Sequence, residues 1–439
     1  MAGIISFGAY VPVFRLNRAL MGKAWQIPSV PGERSVANED EDSLTMAVEA
    51  GADCLAGIDP ASVDGLFFAT TTAPYEEKQC AAVIAEALDM RRDVLTSDFT
   101  GSVRASTIAV RAAVDAVKSG ALRNVLVAAA DCRLAEPEIM MEQVLGDGAA
   151  ALLIGNENLA AEFGDFYTVS DNFTGPWRRQ EDRFVRFFEI KLDTKYGYAD
   201  NVSAAVGGLL KNTGAKPEDF KKVILPSPDP REGVSIAKKL GFNPMILEDT
   251  MFMFLGNTGA PLCLMMLVNT LEYAKAGDRV LVTNSGDGAD AFMLTATDAL
   301  AEVKKGRRGM KVNISSKRDL PGYDQYLQFR QIIDKDRWTP KSSTVTYWRD
   351  RDVVVRLHGN KCKKCGTVQY PIMRLCFECE AKDDFEVVPL SKTGKVYTFT
   401  LDHLVGGNYL DVPAPKCVVE LDGGGKIFLE MTDCDPKEV

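Results

Sequence analysis

The chain has 439 residues, 46% of them hydrophobic, enough to bury a large core and to form two or more domains. A net charge of -10 and a pI near 5.1 argue against a nucleic-acid surface as its main function. The most apolar run, Ala260 to Val268, is too short to span a bilayer, so no membrane role is expected. Ten cysteines without a secretory leader point to a reducing, cytoplasmic setting.

In chain order, MAGIISFGAYVPV reads as a buried first strand. The segment from Val103 to Val117 reads as a helix, apolar nearly all round, that stops at Gly120. An uninterrupted apolar strand, Val125 to Ala130, follows, then Gly146-Asp147-Gly148 as a turn into a second strand, Ala149 to Ile154. The same order returns later: an apolar helix from Ala260 to Leu271, a stop at Gly277, a strand at Val280 to Val282, Gly286-Asp287-Gly288, and a strand at Ala291 to Leu294. This repetition predicts an internal duplication with a period near 150 residues. Two such helices between two sheets, with outer helices beyond, give a five-layer αβαβα architecture; the competing arrangement is a three-layer sheet with one apolar helix.

Between the two halves, Arg178, Arg179, Arg183 and Arg186 interleave with Trp177, Phe184, Phe187 and Phe188. A solvated helix face is the preferred reading, and an entrance for a phosphate-bearing ligand is the other. Beyond residue 302 the character changes, and residues 303–350 read as a linker in which Tyr323 to Trp338 forms an amphipathic helix. Within residues 351–384, Cys362, Cys365, Cys376 and Cys379 form C-x-x-C-x10-C-x-x-C. That spacing suits four thiolates on one structural zinc ion, with Gly366 permitting the tight backbone after the first pair. A closed four-sulfur site leaves no open coordination position, so its metal builds a module and performs no chemistry. In residues 385–439, Lys395 to Leu401 alternates as a strand, and Cys417 to Leu421 and Ile427 to Met431 form a hairpin across Asp422 to Gly425. Short strands after a ribbon fit a small oligonucleotide/oligosaccharide-binding (OB) barrel, expected here to be incomplete at its C-terminal end.

Several segments, in order and spacing, carry a resemblance: Ile4 to Pro12, Gly146 to Ala151, Gly175 to Arg179, Ala237 to Phe242, Gly256-Asn257-Thr258-Gly259 and Ser285 to Ala289. The first 302 residues resemble the thiolase superfamily, nearest its 3-hydroxy-3-methylglutaryl-CoA synthase and ketoacyl-ACP synthase III branch. The remainder is similar to the zinc-ribbon/OB family that accompanies thiolases and binds acyl-CoA. The resemblance implies a nucleophilic cysteine at a buried helix N-terminus, a histidine and an asparagine that polarise thioester carbonyls, and a glutamate that moves a proton. By register the cysteine position holds Val103, the histidine position Pro226 and the glutamate position Thr71; Asn257 alone agrees. The only two histidines are His358 and His403, so no shift of register restores an imidazole to the first 302 residues. Ser102 and Cys132 remain as displaced nucleophiles to be weighed, and Asn257 has a turn or helix cap as its rival role.

These readings lead to an expected subunit of an acyl-CoA complex. It would partner a catalytically complete thiolase, with coenzyme A or acyl-CoA as ligand and its own site degenerate. The alternatives are a self-sufficient acyltransferase with an unorthodox nucleophile and a non-catalytic acyl-CoA-binding scaffold.

Overall fold

The computed structural model describes residues 2–173, 175–227, 230–333, 343–404 and 412–439. The chain forms two compact units, Met1–Arg330 and Gln331–Val439. No helix among the described residues is long and apolar enough to cross a membrane.

The first half of unit one contains β1 (Gly3–Tyr10), β2 (Phe14–Asn17), α1 (Arg18–Trp25), β3 (Glu33–Val36), α2 (Ser43–Cys54) and β4 (Gly65–Ala69). It continues through α3 (Cys80–Ala87), β5 (Leu95–Phe99), α4 (Ala105–Lys118), β6 (Val125–Cys132), α5 (Met140–Val144) and β7 (Asp147–Gly155). The second half contains β8 (Ala161–Ser170), α6 (Ile190–Leu192), a π-helical stretch at Asp193–Asp200, α7 (Asn201–Thr213) and β9 (Lys222–Ile224). Then come α8 (Pro230–Lys239), α9 (Leu262–Tyr273), β10 (Arg279–Ser285) and β11 (Gly288–Ala296). The strands pair in the order β5-β4-β6-β7-β1-β8-β11-β10-β9. β1 and β8 are joined only through Gly3, Ile4, Ala161 and Glu162, so one ladder is two half-sheets sharing a corner. Each half repeats the same pairing: β4 parallel to β6 and β6 antiparallel to β7, against β9 parallel to β10 and β10 antiparallel to β11.

Strand parity sorts the side chains into layers. Val125, Val127 and Ala129 of β6 face a central cluster shared with α4 and α9, whereas Leu126, Ala128 and Ala130 face a cluster with α2 and α3. On the other half-sheet, Val280 and Val282 join the central cluster and Leu281 joins α7 and α8. The layers run α2/α3, half-sheet, α4/α9, half-sheet, α7/α8, which is the expected five-layer αβαβα duplication. α9 is apolar all round because both half-sheets cover it, with Leu262 through Val268 all buried. Burying each such side chain contributes about 1.5–3 kcal/mol. α4 departs from the expectation. Ile108, Arg111, Asp115 and Lys118 form a solvent stripe at helical spacing, with Arg111 Nε bonded to Asp115 at 2.7 Å.

Two further expectations change. Gly286 to Gly288 is a tight turn between β10 and β11, but Asp147 opens β7 as a buried strand residue accepting the Ala37 N–H at 2.8 Å. Residues read as the start of a linker pack into unit one as α10 (Leu300–Val303), α11 (Gly309–Ser315), β12 (Arg318–Asp319) and α12 (Tyr323–Phe329). α12 buries Tyr323, Tyr326 and Phe329 and ends at Phe329, short of the expected Trp338; residues 334–342 lie outside the described set. The Arg34 guanidinium stacks 4.7 Å over the Tyr326 ring, and Tyr323 Oη donates to Glu142 Oε1 at 2.7 Å.

Unit two begins with α13 (Thr344–Val354) and a three-stranded sheet of β13 (His358–Cys362), β14 (Val368–Gln369) and β15 (Phe385–Pro389). β15, which opens the residues read as the barrel, pairs with β13. A second three-stranded sheet is the meander β16 (Gly394–Asp402), β17 (Ala414–Leu421) and β18 (Lys426–Glu430). Leu390, Leu421 and Ile427 form a small core against Leu357, Val368, Tyr370, Val388 and Val419.

Candidate functional site

In unit one the parallel strands β4, β6, β9 and β10 end at a common cleft of about 1360 Å³, where α4 and α9 also begin. Ligand sites in open α/β sheets favour such carboxyl ends. Thr71 follows β4, Pro226 and Ser227 follow β9, Asn257 precedes α9, Val103 precedes α4, and all of them line the cleft. The four positions singled out by the resemblance, Thr71, Val103, Pro226 and Asn257, are thus brought together although separated by up to 186 residues in sequence.

The side chains at those positions are a threonine, a valine, a proline and an asparagine. Val103 occupies the N-terminal approach to α4, where a helix dipole favours an anion, but its side chain is a hydrocarbon. The Ser102 hydroxyl also lines the cleft and accepts the Arg104 N–H at 3.3 Å; among the described residues no base is bonded to it. Cys132 is not among the cleft-lining residues, and its sulfur lies 3.8 Å from Thr72 Oγ1. Burial pushes its thiol above the ordinary range, although Arg330 opposes this. The Asn257 carboxamide oxygen accepts the Gly259 N–H at 2.9 Å, the local turn that was its rival role.

The Thr71 hydroxyl is committed to a buried carboxylate. Asp131, at the end of β6, has Oδ1 receiving the Thr70 hydroxyl (2.9 Å), the Thr71 N–H (2.6 Å) and the Thr72 hydroxyl (3.1 Å). Its Oδ2 receives the Thr71 hydroxyl (2.9 Å) and the Ala260 N–H (2.8 Å). One side chain thereby ties the ends of β4 and β6 to the approach of α9. Gly259 is required beside it: its φ is +79°, and a Cβ there would lie 2.5 Å from Asp131 Oδ2 and 2.8 Å from Arg133 Cδ. Sequence reading missed Asp131 and Arg133. Their signal is an Asp-Cys-Arg sequence ending a wholly apolar strand, where a charge has no business unless it faces a site.

The arginine-rich segment is not a helix. Trp177 and Arg186 exchange backbone hydrogen bonds at 2.8 Å, forming an isolated bridge. Arg179 and Arg186 stack over the Trp177 ring, and Arg178 donates to the Thr71 carbonyl at 2.8 Å. Trp177, Arg178, Arg179, Phe187 and Phe188 line the cleft, with Phe188 84% exposed.

In unit two, the Sγ atoms of Cys362, Cys365, Cys376 and Cys379 all lie within 4.8 Å of one another. The Cys362–Cys379 and Cys365–Cys376 separations are each 3.6 Å. A tetrahedron with sulfurs about 2.3 Å from its centre has edges of roughly 3.8 Å, so the four fit one metal ion. Each Cys pair closes with a backbone hydrogen bond, Gly366 to Cys362 at 2.8 Å and Glu380 to Cys376 at 3.0 Å. The closing residues have φ of +80° and +58°, so glycine serves the first turn as expected and a glutamate adopts the same conformation in the second.

Comparison with known proteins gives three findings. The family described as "ChsH2, C-terminal OB-fold domain" matches residues 387–439. The chain is 36% identical over 315 residues to hydroxymethylglutaryl-CoA synthase of Aeropyrum pernix, covering 69% of this chain and 87% of that protein. It is 31% identical to the Pyrococcus furiosus protein of the same name, covering 76% and 93%. Among solved structures, an HMG-CoA synthase complexed with CoA superimposes with a TM-score of 0.68 at 18% identity, covering 78% of this chain and 95% of that one. The 3-oxoacyl-[acyl-carrier-protein] synthase III of Aquifex aeolicus gives 0.61 at 21% identity, covering 67% and 100%.

Proposed function

The chain belongs to the hydroxymethylglutaryl-CoA synthase family, and from that premise we propose that it is the non-catalytic subunit of an acyl-CoA complex. The complex makes or cleaves a carbon–carbon bond next to a CoA thioester, and the chemistry is carried by a catalytically complete thiolase-type partner. The observation behind this reading is the cleft itself: Val103, Pro226 and Thr71 stand where the family resemblance places cysteine, histidine and glutamate, and the first 357 residues contain no imidazole. A hydrocarbon cannot accept an acyl group, and a serine without a base is a weak nucleophile.

In this reading the cleft retains binding. Trp177, Arg178 and Arg179 offer an aromatic face and cationic donors to the nucleotide end of CoA, and the apolar walls at Val103, Val144 and Leu262 receive an acyl chain. The four cysteines hold zinc, which supplies folding free energy to the ribbon on the order of 10 kcal/mol as an apparent value. The ribbon–OB unit then serves acyl-CoA binding and attachment to the partner. The test is to mix the pure chain with a thiolase encoded beside it and measure co-elution and condensation or thiolysis. Activity that requires both proteins supports the reading, and full turnover by this chain alone overturns it.

A further inference from the structure

The strongest unassigned feature of the cleft is Arg133. It is 7% exposed and lines the cleft where Gly259 and Asn257 approach Thr71. No hydrogen bond or ion pair engages its guanidinium among the described residues. The nearest compensating charge is Asp131, whose two oxygens already accept five hydrogen bonds from Thr70, Thr71, Thr72 and Ala260. Arg178 adds a second positive charge nearby.

A buried guanidinium carries five N–H donors in a planar fork, and leaving them without acceptors is costly. Burial pulls Arg133 below the usual arginine range, with Asp131 opposing and Arg178 reinforcing that direction. Other buried arginines reach protein acceptors at least in part: Arg18 donates to the carbonyls of Pro31 and Phe252, and Arg34 to the Glu142 carbonyl, although the Nε of each and the Nη2 of Arg34 have no hydrogen-bond partner. Arg133 differs in that its donors open onto the cleft. Val103, Leu134, Val185 and Leu262 line the same cleft, together with polar residues that include Thr71, Ser102, Asn257 and Asn284.

We propose that Arg133 receives a carboxylate, so that the cleft selects acyl groups ending in a carboxylate over acyl groups of similar size ending in a methyl. The fork geometry suits a bidentate carboxylate, and charge-assisted pairs of this kind are the strong ones. This selectivity rests on the acyl-CoA reading of the cleft, and the test separates the two.

Calorimetry of the full chain with the stable thioethers S-carboxypropyl-CoA and S-butyl-CoA, with free CoA, and with glutarate reads the preference directly. The carboxypropyl ligand is expected to bind about tenfold or more tightly than the butyl ligand. Arg133→Met should abolish that ratio while leaving S-butyl-CoA binding intact, and Arg133→Lys should keep part of it. Equal binding of the two thioethers to the wild-type chain overturns the proposal without any variant. Equal weakening of free CoA and both thioethers by Arg133→Met also overturns it, because the arginine then reads a CoA phosphate. If no CoA ligand binds but glutarate binds and is lost in Arg133→Met, the carboxylate site stands and the acyl-CoA reading fails. If glutarate fails as well, both fall.

Discussion

Replacing Asp131 by asparagine tests the architecture of the cleft with the smallest change of shape. The carboxylate accepts three donors on Oδ1 and two on Oδ2, and it is fully buried. An asparagine must place its NH2 at one of those ends. With NH2 at the Oδ1 position it faces the Thr71 N–H, and at the Oδ2 position it faces the Ala260 N–H. Threonine hydroxyls can rotate to accept, but a backbone N–H cannot, so one buried amide loses its acceptor in either orientation. That loss costs about 1–3 kcal/mol, and weakening the remaining bonds from charged to neutral adds about 1 kcal/mol more. The expected destabilisation of unit one is therefore about 2–4 kcal/mol. Because the chain has two compact units, a single global transition is the wrong readout. Amide hydrogen exchange at Thr71 and Ala260, with the melting of unit two as an internal control, isolates the effect. A change below about 1 kcal/mol at both amides would refute the reasoning, since a buried N–H cannot lose its partner so cheaply.

Three other outcomes follow from the same structure. Glu142 is 1% exposed, and burial pushes its carboxyl up to about 7, against the opposing pull of the Tyr323 hydroxyl and Arg34. A raised acid binds its proton more tightly when folded, so stability should fall as pH rises from about 4.5 through about 7 and stay low above it. Glu142→Gln should flatten that slope by about 1–3 kcal/mol in denaturation series run between pH 5 and pH 8, and an unchanged slope contradicts the assignment. Metal analysis should find one zinc ion per chain, absent in the double variant Cys362→Ser/Cys376→Ser, and chelation should unfold the β13–β15 sheet while unit one stays folded. Retained β13–β15 amide protection after complete metal removal sinks that expectation. Val103→Cys places a thiol before α4, and its pKa should fall below about 8.5 in titration with a thiol reagent, whereas an ordinary or raised value shows that the helix end exerts no such field.

Much of the first unit was legible because its signals are local. The apolar run at Val125 to Ala130 is a strand, and Leu262 to Val268 is a helix buried on every side. β6 runs on to Cys132, two residues past the expected end at Ala130, because the charge of Asp131 is absorbed by Thr70, Thr71 and Thr72 from the neighbouring strand end. α4 was read as uniformly apolar because alanines and valines outnumber its four exposed positions, though Arg111 and Asp115 mark the stripe. The expected long helix after Tyr323 stops once Phe329 has packed against Phe14 at 5.1 Å, a tertiary contact with no local signature. The cysteine spacing anticipated the sulfur cluster because four ligands within 18 residues leave few geometries. Positions such as Arg133 were opaque for the opposite reason: being left without a partner is a property of the folded surroundings.

The central claim is that unit one shapes a ligand site without performing acyl transfer itself. Intact-mass analysis of the pure chain after incubation with acetyl-CoA, followed by peptide mapping, tests it most directly. The account predicts no covalent acyl adduct on any side chain from residue 2 to residue 330, with or without a thiolase partner. A stoichiometric adduct on Ser102, Cys132 or any other residue of that unit contradicts it.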